Sequence, residues 1–219
     1  MTSTQQSSSQ QASIEKLRST VENVLTRSRA RSAALTECVD ERDLLAQHSP
    51  LMSPLIWDLA HIGNQEELWL VRDVGGREAV RQDIDELYDA FKHSRSSRPS
   101  LPLLSPEEAR SYVATVREKV WDVLSASPLD GRRLERDGFA FGMVAQHEQQ
   151  HDETMLATHQ LRRGPAVLHA PAAPRAQIRA QGEVIIGGGE FSMGTTLDPW
   201  ALDNERPAHS RYVSAFAID

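Results

Sequence analysis

The sequence holds a single cysteine, Cys38, so it can form no intrachain disulfide, and it fits a reducing compartment. It has no apolar run long enough to span a bilayer, and its opening stretch, MTSTQQSSSQQAS, lacks the apolar core of a secretory signal. A cytoplasmic protein is the expectation from both shortages. Positive charge is also scarce: 24 Lys and Arg stand against 31 Asp and Glu, a net charge of −7. The acidic residues are scattered, and nothing offers the basic face that nucleic acid needs. What remains is 39% hydrophobic and 25% charged residues, ordinary for a soluble fold with material for a core. No nucleic-acid or membrane partner is expected, and the expected state is a monomer.

Residues 1–13 are rich in Ser and Gln with almost nothing to bury, and they read as a disordered tail. From Ile14 a helical period appears through Leu17, Val21, Val24 and Leu25 toward Leu35. A short helical turn is expected between Asp43 and His48. A second long helix is predicted with Ser53 as N-cap and Pro54 at its first position, running through LIWDLAHIGNQEELWLVRDV to Gly75-Gly76. Trp57, His61 and Leu68 share a stripe on it. Apolar residues ring most of its circumference, so it is expected to be well buried. IDELYDAF reads as a short helical piece, and KHSRSSRPSLPLL as an ordered loop. Ser105-Pro106-Glu107-Glu108 has the form of a capping box, opening a third long helix through Tyr112, Val116, Val120 and Leu124. The fourth occupies Gly138–Gly164 and stops at Arg162, Arg163, Gly164 and Pro165. Residues 165–181 are Ala/Pro-rich and read as a linker. From 182 to 219 the character changes to short β-type pieces and glycine turns. Three short strands there cannot bury a core of their own, and the expectation is a second domain that is begun and not completed.

The fourth helix carries His147 and His151 at i, i+4, one above the other on a single face with Ala140, Val144 and Met155. Two imidazoles so placed can close on one metal ion. HEQQH also fits the zinc-protease pattern H-E-x-x-H, with Glu148 as the general base. The extended form of that pattern is absent, because Thr154 and Ala157 stand where its Gly and third His belong. A third ligand must then come from upstream. His61 is the candidate, since bundle cores build metal sites from facing helices. Three imidazoles without a thiolate suit a borderline divalent ion such as Fe(II) or Zn(II). His48, His93, His159, His169 and His209 lie in loops or off this stripe.

SPLIWDLAHIGNQEELWL followed by HEQQHDE resembles the N-terminal domain of the iron-dependent sulfoxide synthases of ergothioneine biosynthesis. Those enzymes join a DinB-like four-helix bundle to a domain similar to formylglycine-generating enzymes. GGGEFSMGTT, DNERPAH and AFAID are similar to the opening of that second domain. The resemblance covers about residues 14–219. It implies a mainly α fold: a metal-binding DinB-like four-helix bundle over 14–164, then the truncated start of an α+β, C-type-lectin-like domain.

The same resemblance implies a non-haem Fe(II) oxygenase with metal ligands His61, His147 and His151. The family joins a thiol to C2 of the imidazole of hercynine and oxidises the sulfur, using O₂. Arg95 and Arg98 resemble the arginines that grip the carboxylates of γ-glutamylcysteine, a task suited to guanidinium forks. Gln150 resembles the residue that holds the hercynine imidazole. Glu148, Asp152 and Glu153 are candidates to hold imidazole N–H groups, with a contact between helices an equal reading for Glu153. The family's proton-donating tyrosine belongs to the second domain, so no catalytic residue is assigned here and little turnover is expected of this chain alone. Two other readings stand beside this one: a metal-dependent thiol transferase or isomerase on the same bundle, and a non-catalytic metal-binding bundle.

Overall fold

The computed structural model describes residues 3–175 and 182–218. Contacts divide the chain into two units, Met1–Leu168 and His169–Asp219. The first is helical: α1 (Ser3–Glu37), α2 (Glu41–Leu45), α3 (Leu55–Glu66), α4 (Pro106–Ala126) and α5 (Phe139–Leu161). α1 packs along α5, and α3 packs against both α4 and α5. That is the mainly α bundle expected from the sequence, with α2 lying two to three residues ahead of the short turn expected between Asp43 and His48.

α1 begins eleven residues before the predicted start at Ile14, so residues 3–13 are helix in the structure and not a tail. The reason is helical propagation: adding a turn to a long helix costs little once the helix is nucleated. Local bonds help, with Gln11 donating to Glu15 and the Ser13 hydroxyl to the Ser9 carbonyl. Residues 8–13 are exposed, in keeping with their lack of apolar side chains. Further along, the inward face of α1 changes character. Val21 and Leu25 are fully buried, and then Ser28, Ser32 and Thr36 continue the same buried stripe. Hydroxyls replace methyls because the facing helix, α5, presents carboxylates there.

α3 is buried on all sides from Leu55 to Asn64, as its ring of apolar residues predicts. Its start differs from the sequence reading. Pro54 is the cap and makes no side-chain cap bond, while the buried Ser53 hydroxyl accepts from Arg98 Nη1 at 2.6 Å. A long-range charged donor has displaced the local capping bond. α3 and α4 approach closely at Gly63, where a Cβ would lie 2.6 Å from Val113 Cγ1.

After Glu66 the backbone continues as π-helix over Glu67–Val74 and stops before Gly76, whose φ is +59°. Leu68, expected on the Trp57–His61 stripe, lies in this segment and is only half-buried. The predicted helix over IDELYDAF is likewise corrected to a 3₁₀ turn, Gln82–Ile84, followed by hydrogen-bonded turns over 85–88. Tyr88 is fully buried there and its hydroxyl accepts from Leu104 N–H at 2.9 Å, so tertiary anchoring prevails over helical propensity.

α4 opens with the expected capping box, Ser105 and Glu108 satisfying each other's backbone N–H groups. Its far end is closed by Arg18, whose guanidinium donates to the carbonyls of Leu124 and Ser127. A cation there also complements the helix dipole. α5 starts after Gly138, whose φ of +66° favours a residue without Cβ. It ends one residue before Arg162, as its stop signals predict.

In the second unit, β1 (Val184–Ile186) pairs antiparallel with β4 (Phe216–Ile218), and β2 (Gly189–Met193) with β3 (His209–Val213). Every strand residue is exposed, and Ala201 is the one buried residue among those described in 182–218. Residues 176–181, at the end of the expected linker, lie outside the described residues.

Candidate metal centre

His61 on α3 meets His147 and His151 on α5. Ring centroids are 5.1 Å apart for His61–His147 and 4.7 Å for both other pairs. One ligand atom from each lies within 4.8 Å of the other two, and this trio could hold a metal ion. Two rings are held from behind. His61 Nδ1–H donates to the Tyr88 carbonyl at 2.7 Å. His151 Nδ1–H donates to Asp58 Oδ1 at 3.0 Å. Both bonds assign the proton to Nδ1 and leave the Nε2 lone pair for a ligand, the outer support that metal-bound imidazoles use.

The electrostatics favour the same state. Burial, then the neighbouring His151 and His147, lowers the His61 pKa to about 3. Burial and His151 lower that of His147 to about 4. Both rings are therefore neutral at pH 7, as metal ligands must be. The donor set and its proton placement fit one divalent ion, with positions left open for other ligands.

Trp57 closes one side of the site. Its ring stacks on His61 with centroids 4.7 Å apart and a 14° interplanar angle. Arg98 lies over the same indole at 3.5 Å. Arg98 is buried and is further held by Ser53 and, at 3.2 Å, by the His93 carbonyl. Burial lowers its pKa, with Asp58 opposing. Arg95 is exposed; its Nη1 donates to the Leu51 carbonyl at 2.6 Å. Gln150 is exposed on α5, one residue before His151.

Glu148 does not serve the histidine face. It is buried and accepts from Ser28 at 3.0 Å, Arg29 at 2.7 Å, Ser32 at 2.8 Å and Arg117 at 3.0 Å. Glu66 completes this cluster by accepting from Arg29 and Arg117. Burial works against the Glu148 charge, but Arg29 and Arg117 outweigh it and hold its carboxyl below the usual range. A carboxylate so saturated, and so far from proton-accepting strength at neutral pH, is no general base. The zinc-protease reading of HEQQH fails on this point as well as on its missing ligand.

Asp152 also turns away from the imidazoles, taking a bond from Ser32 at 2.8 Å. Burial, against that bond, raises its pKa to about 6. Glu153 is exposed. The carboxylate that does hold an imidazole is Asp58, which the sequence analysis passed over. It lies one turn before His61 on α3, but the ring it holds is that of His151 on α5, so spacing within one helix does not reveal the pairing. The other support, the Tyr88 carbonyl, carries no side-chain signal at all.

Residues 24–155 match the DinB superfamily. The chain is 46% identical to a hercynine oxygenase of Mycolicibacterium smegmatis over 92% of its own length and 47% of the relative's. It is 51% identical to one from Mycobacterium tuberculosis, over 89% and 46% respectively. For one from Mycolicibacterium thermoresistibile the identity is 49%, over 82% and 40%. The chain thus spans about half the length of the curated relatives it matches. Its helical order, its three converging histidines and a match over most of the bundle agree: the chain belongs to the DinB superfamily.

Proposed function

We propose that this chain is the metal-binding half of a non-haem Fe(II), O₂-dependent oxidoreductase that joins γ-glutamylcysteine to hercynine and oxidises the new thioether to a sulfoxide, in ergothioneine biosynthesis. The observation that carries the proposal is the trio His61, His147 and His151, two of them fixed in the Nδ1–H tautomer, in a chain about half identical to hercynine oxygenases. Bound Fe(II) would supply the redox chemistry that activates O₂. The stoichiometry closes: the thiol S–H and the imidazole C2–H surrender their hydrogens to one oxygen atom as water, and the other stays on sulfur.

The chain's own residues bind and orient. Arg95 and Arg98 would receive the thiol donor's carboxylates. In favour of Arg98 is its pre-set geometry, since Ser53 and Trp57 already hold the guanidinium and little rotamer freedom remains to be lost. Gln150 would hydrogen-bond the hercynine imidazole from the exposed edge of α5. Neutral His61 and His147 avoid the proton release that would otherwise oppose metal binding at pH 7. A cytoplasmic location suits an Fe(II) enzyme with one cysteine, and among the described residues no helix is long and apolar enough to cross a membrane.

The test loads the chain with Fe(II) anaerobically, measures bound metal, and supplies hercynine, γ-glutamylcysteine and O₂. It is run on the chain alone and on the chain joined to the C-terminal half of a hercynine oxygenase relative. The expected result is one iron per chain in both, with sulfoxide from the joined protein and neither iron nor product with His61→Ala. Full iron in His61→Ala, or zinc retained with no product in the joined protein, would overturn the reading.

A further inference from the structure

His61 is held by a turn, and that turn is itself gripped by charges lying beyond the histidine cluster. Tyr88, whose carbonyl takes the His61 Nδ1 proton, closes a backbone turn by donating its N–H to the Ile84 carbonyl at 3.1 Å. Asp85 lies inside that turn. Its Oδ1 accepts from Asn64 Nδ2 at 2.9 Å, and Arg72 engages both of its oxygens, at 2.7 and 3.0 Å. Asn64 lies one helical turn after His61, so α3 reaches the same turn twice from one face.

Arg72 is placed by the unusual winding of the chain. In an α-helix residues five apart point about 140° away from each other. In the π segment the i→i+5 repeat brings them together. Arg72 accordingly folds back on Glu67, with Nε at 2.8 Å from Glu67 Oε1. Glu67 is fully buried and also accepts from Val80 N–H at 2.8 Å and the Tyr112 hydroxyl at 2.7 Å. The chain entering the turn at Val80 is thereby tied through Glu67 to Tyr112 of α4.

We propose that Asp85 is a positioning residue for His61: gripped by Arg72 and Asn64, it fixes the 84–88 turn so that the Tyr88 carbonyl holds the Nδ1 proton and presents Nε2 to the site. The proposal rests on the reading of His61 as a metal ligand, and it assigns the π segment a purpose, the delivery of Arg72 to Asp85. Without Asp85 the carbonyl is free to shift, and the His61 ring loses the bond that selects its tautomer.

The experiment has two readouts. Imidazole ¹⁵N NMR on the metal-free protein reports the His61 tautomer, and anaerobic titration with Fe(II) alone reports affinity. Wild type is expected to show a single Nδ1–H tautomer. Asp85→Ala should show a mixture and bind Fe(II) at least about tenfold more weakly. Arg72→Lys, which keeps the charge and loses the fork, should change both in the same direction by less, and it serves if Asp85→Ala does not fold. Val21→Ala, a core truncation on α1, controls for general stability and should leave the tautomer unchanged. An unchanged tautomer in Asp85→Ala, or an equal change in Val21→Ala, overturns the proposal. Absence of Fe(II) binding in wild type would overturn the metal reading instead, and the tautomer would still judge Asp85.

Discussion

Substituting Glu148→Gln separates the two roles that its place in HEQQH allows. In the fold, Glu148 is the meeting point of three helices: Ser28, Arg29 and Ser32 come from α1 and Arg117 from α4. Its side chain is 2% exposed, that of Arg117 9% and that of Arg29 16%. Gln keeps the shape and removes the charge, and its amide N–H₂ must face donors. Two guanidinium groups are then left to share Glu66. Breaking a buried pair from one side costs about 3–5 kcal/mol. For a unit of this size each kcal/mol moves Tm by about 2–4 °C, so a fall of about 6–20 °C is expected. The assay is thermal unfolding of the metal-free protein at pH 7, followed by circular dichroism at 222 nm. Below the transition, Fe(II) stoichiometry should equal that of wild type, because no Glu148 atom bonds a histidine ring. A Tm within about 2 °C of wild type, which is less than one kcal/mol, would refute the account of Glu148 as the tie between α1, α4 and α5. A preserved Tm together with lost sulfoxide formation in the protein joined to a relative's C-terminal half would instead give Glu148 a chemical role.

Three other outcomes are expected. Asp58→Ala removes the acceptor behind His151 and should weaken Fe(II) binding by about 10–100-fold in anaerobic titration; unchanged affinity would show that the 3.0 Å contact does not orient the ring. Gly63→Ala places a methyl 2.6 Å from Val113 Cγ1, forces α3 and α4 apart and should cost about 1–3 kcal/mol in chemical denaturation. The third concerns pH. His61 and His147 have folded pKa values of about 3 and about 4, both below an unfolded value of about 6.5. The unfolded chain then binds more protons below pH 6.5, so their contribution to stability is fully present above that pH and is lost as pH falls toward the folded values. The Tm of metal-free protein should fall between pH 6.5 and 4, and His61→Ala should flatten that fall; a Tm that rises on acidification would contradict the burial of neutral imidazoles.

The long helices were legible because their signals are local. The Ser105–Glu108 box needs only four residues to close, and the periodic apolar stripes declare which face is buried. The i, i+4 pair His147–His151 is local in the same sense, since one helical turn fixes its convergence. Even the helix that carries the third histidine could be drawn from its apolar ring and its terminal glycines. With no third ligand following His151, that histidine, inside a helix able to face the pair, was the upstream candidate, and the fold then brought the three rings together.

Other features depended on tertiary structure. Whether Glu148 or Asp58 backs the imidazoles is undecided by sequence, because both are acidic residues close to a histidine on a helix. The choice falls to Asp58 because α3 turns it toward α5, while Glu148 faces the arginines of α1 and α4. The winding of Glu67–Val74 could not be read from an apolar stripe either: the π geometry is accompanied by buried bonds from Glu67 to Tyr112 and to the Val80 backbone, and those partners are distant in the chain. The chain by itself determined which residues could bind a metal. Only the packed bundle decided which groups hold those residues in the ligating tautomer, because a hydrogen bond between helices is made by three-dimensional proximity and leaves no periodic trace in the sequence.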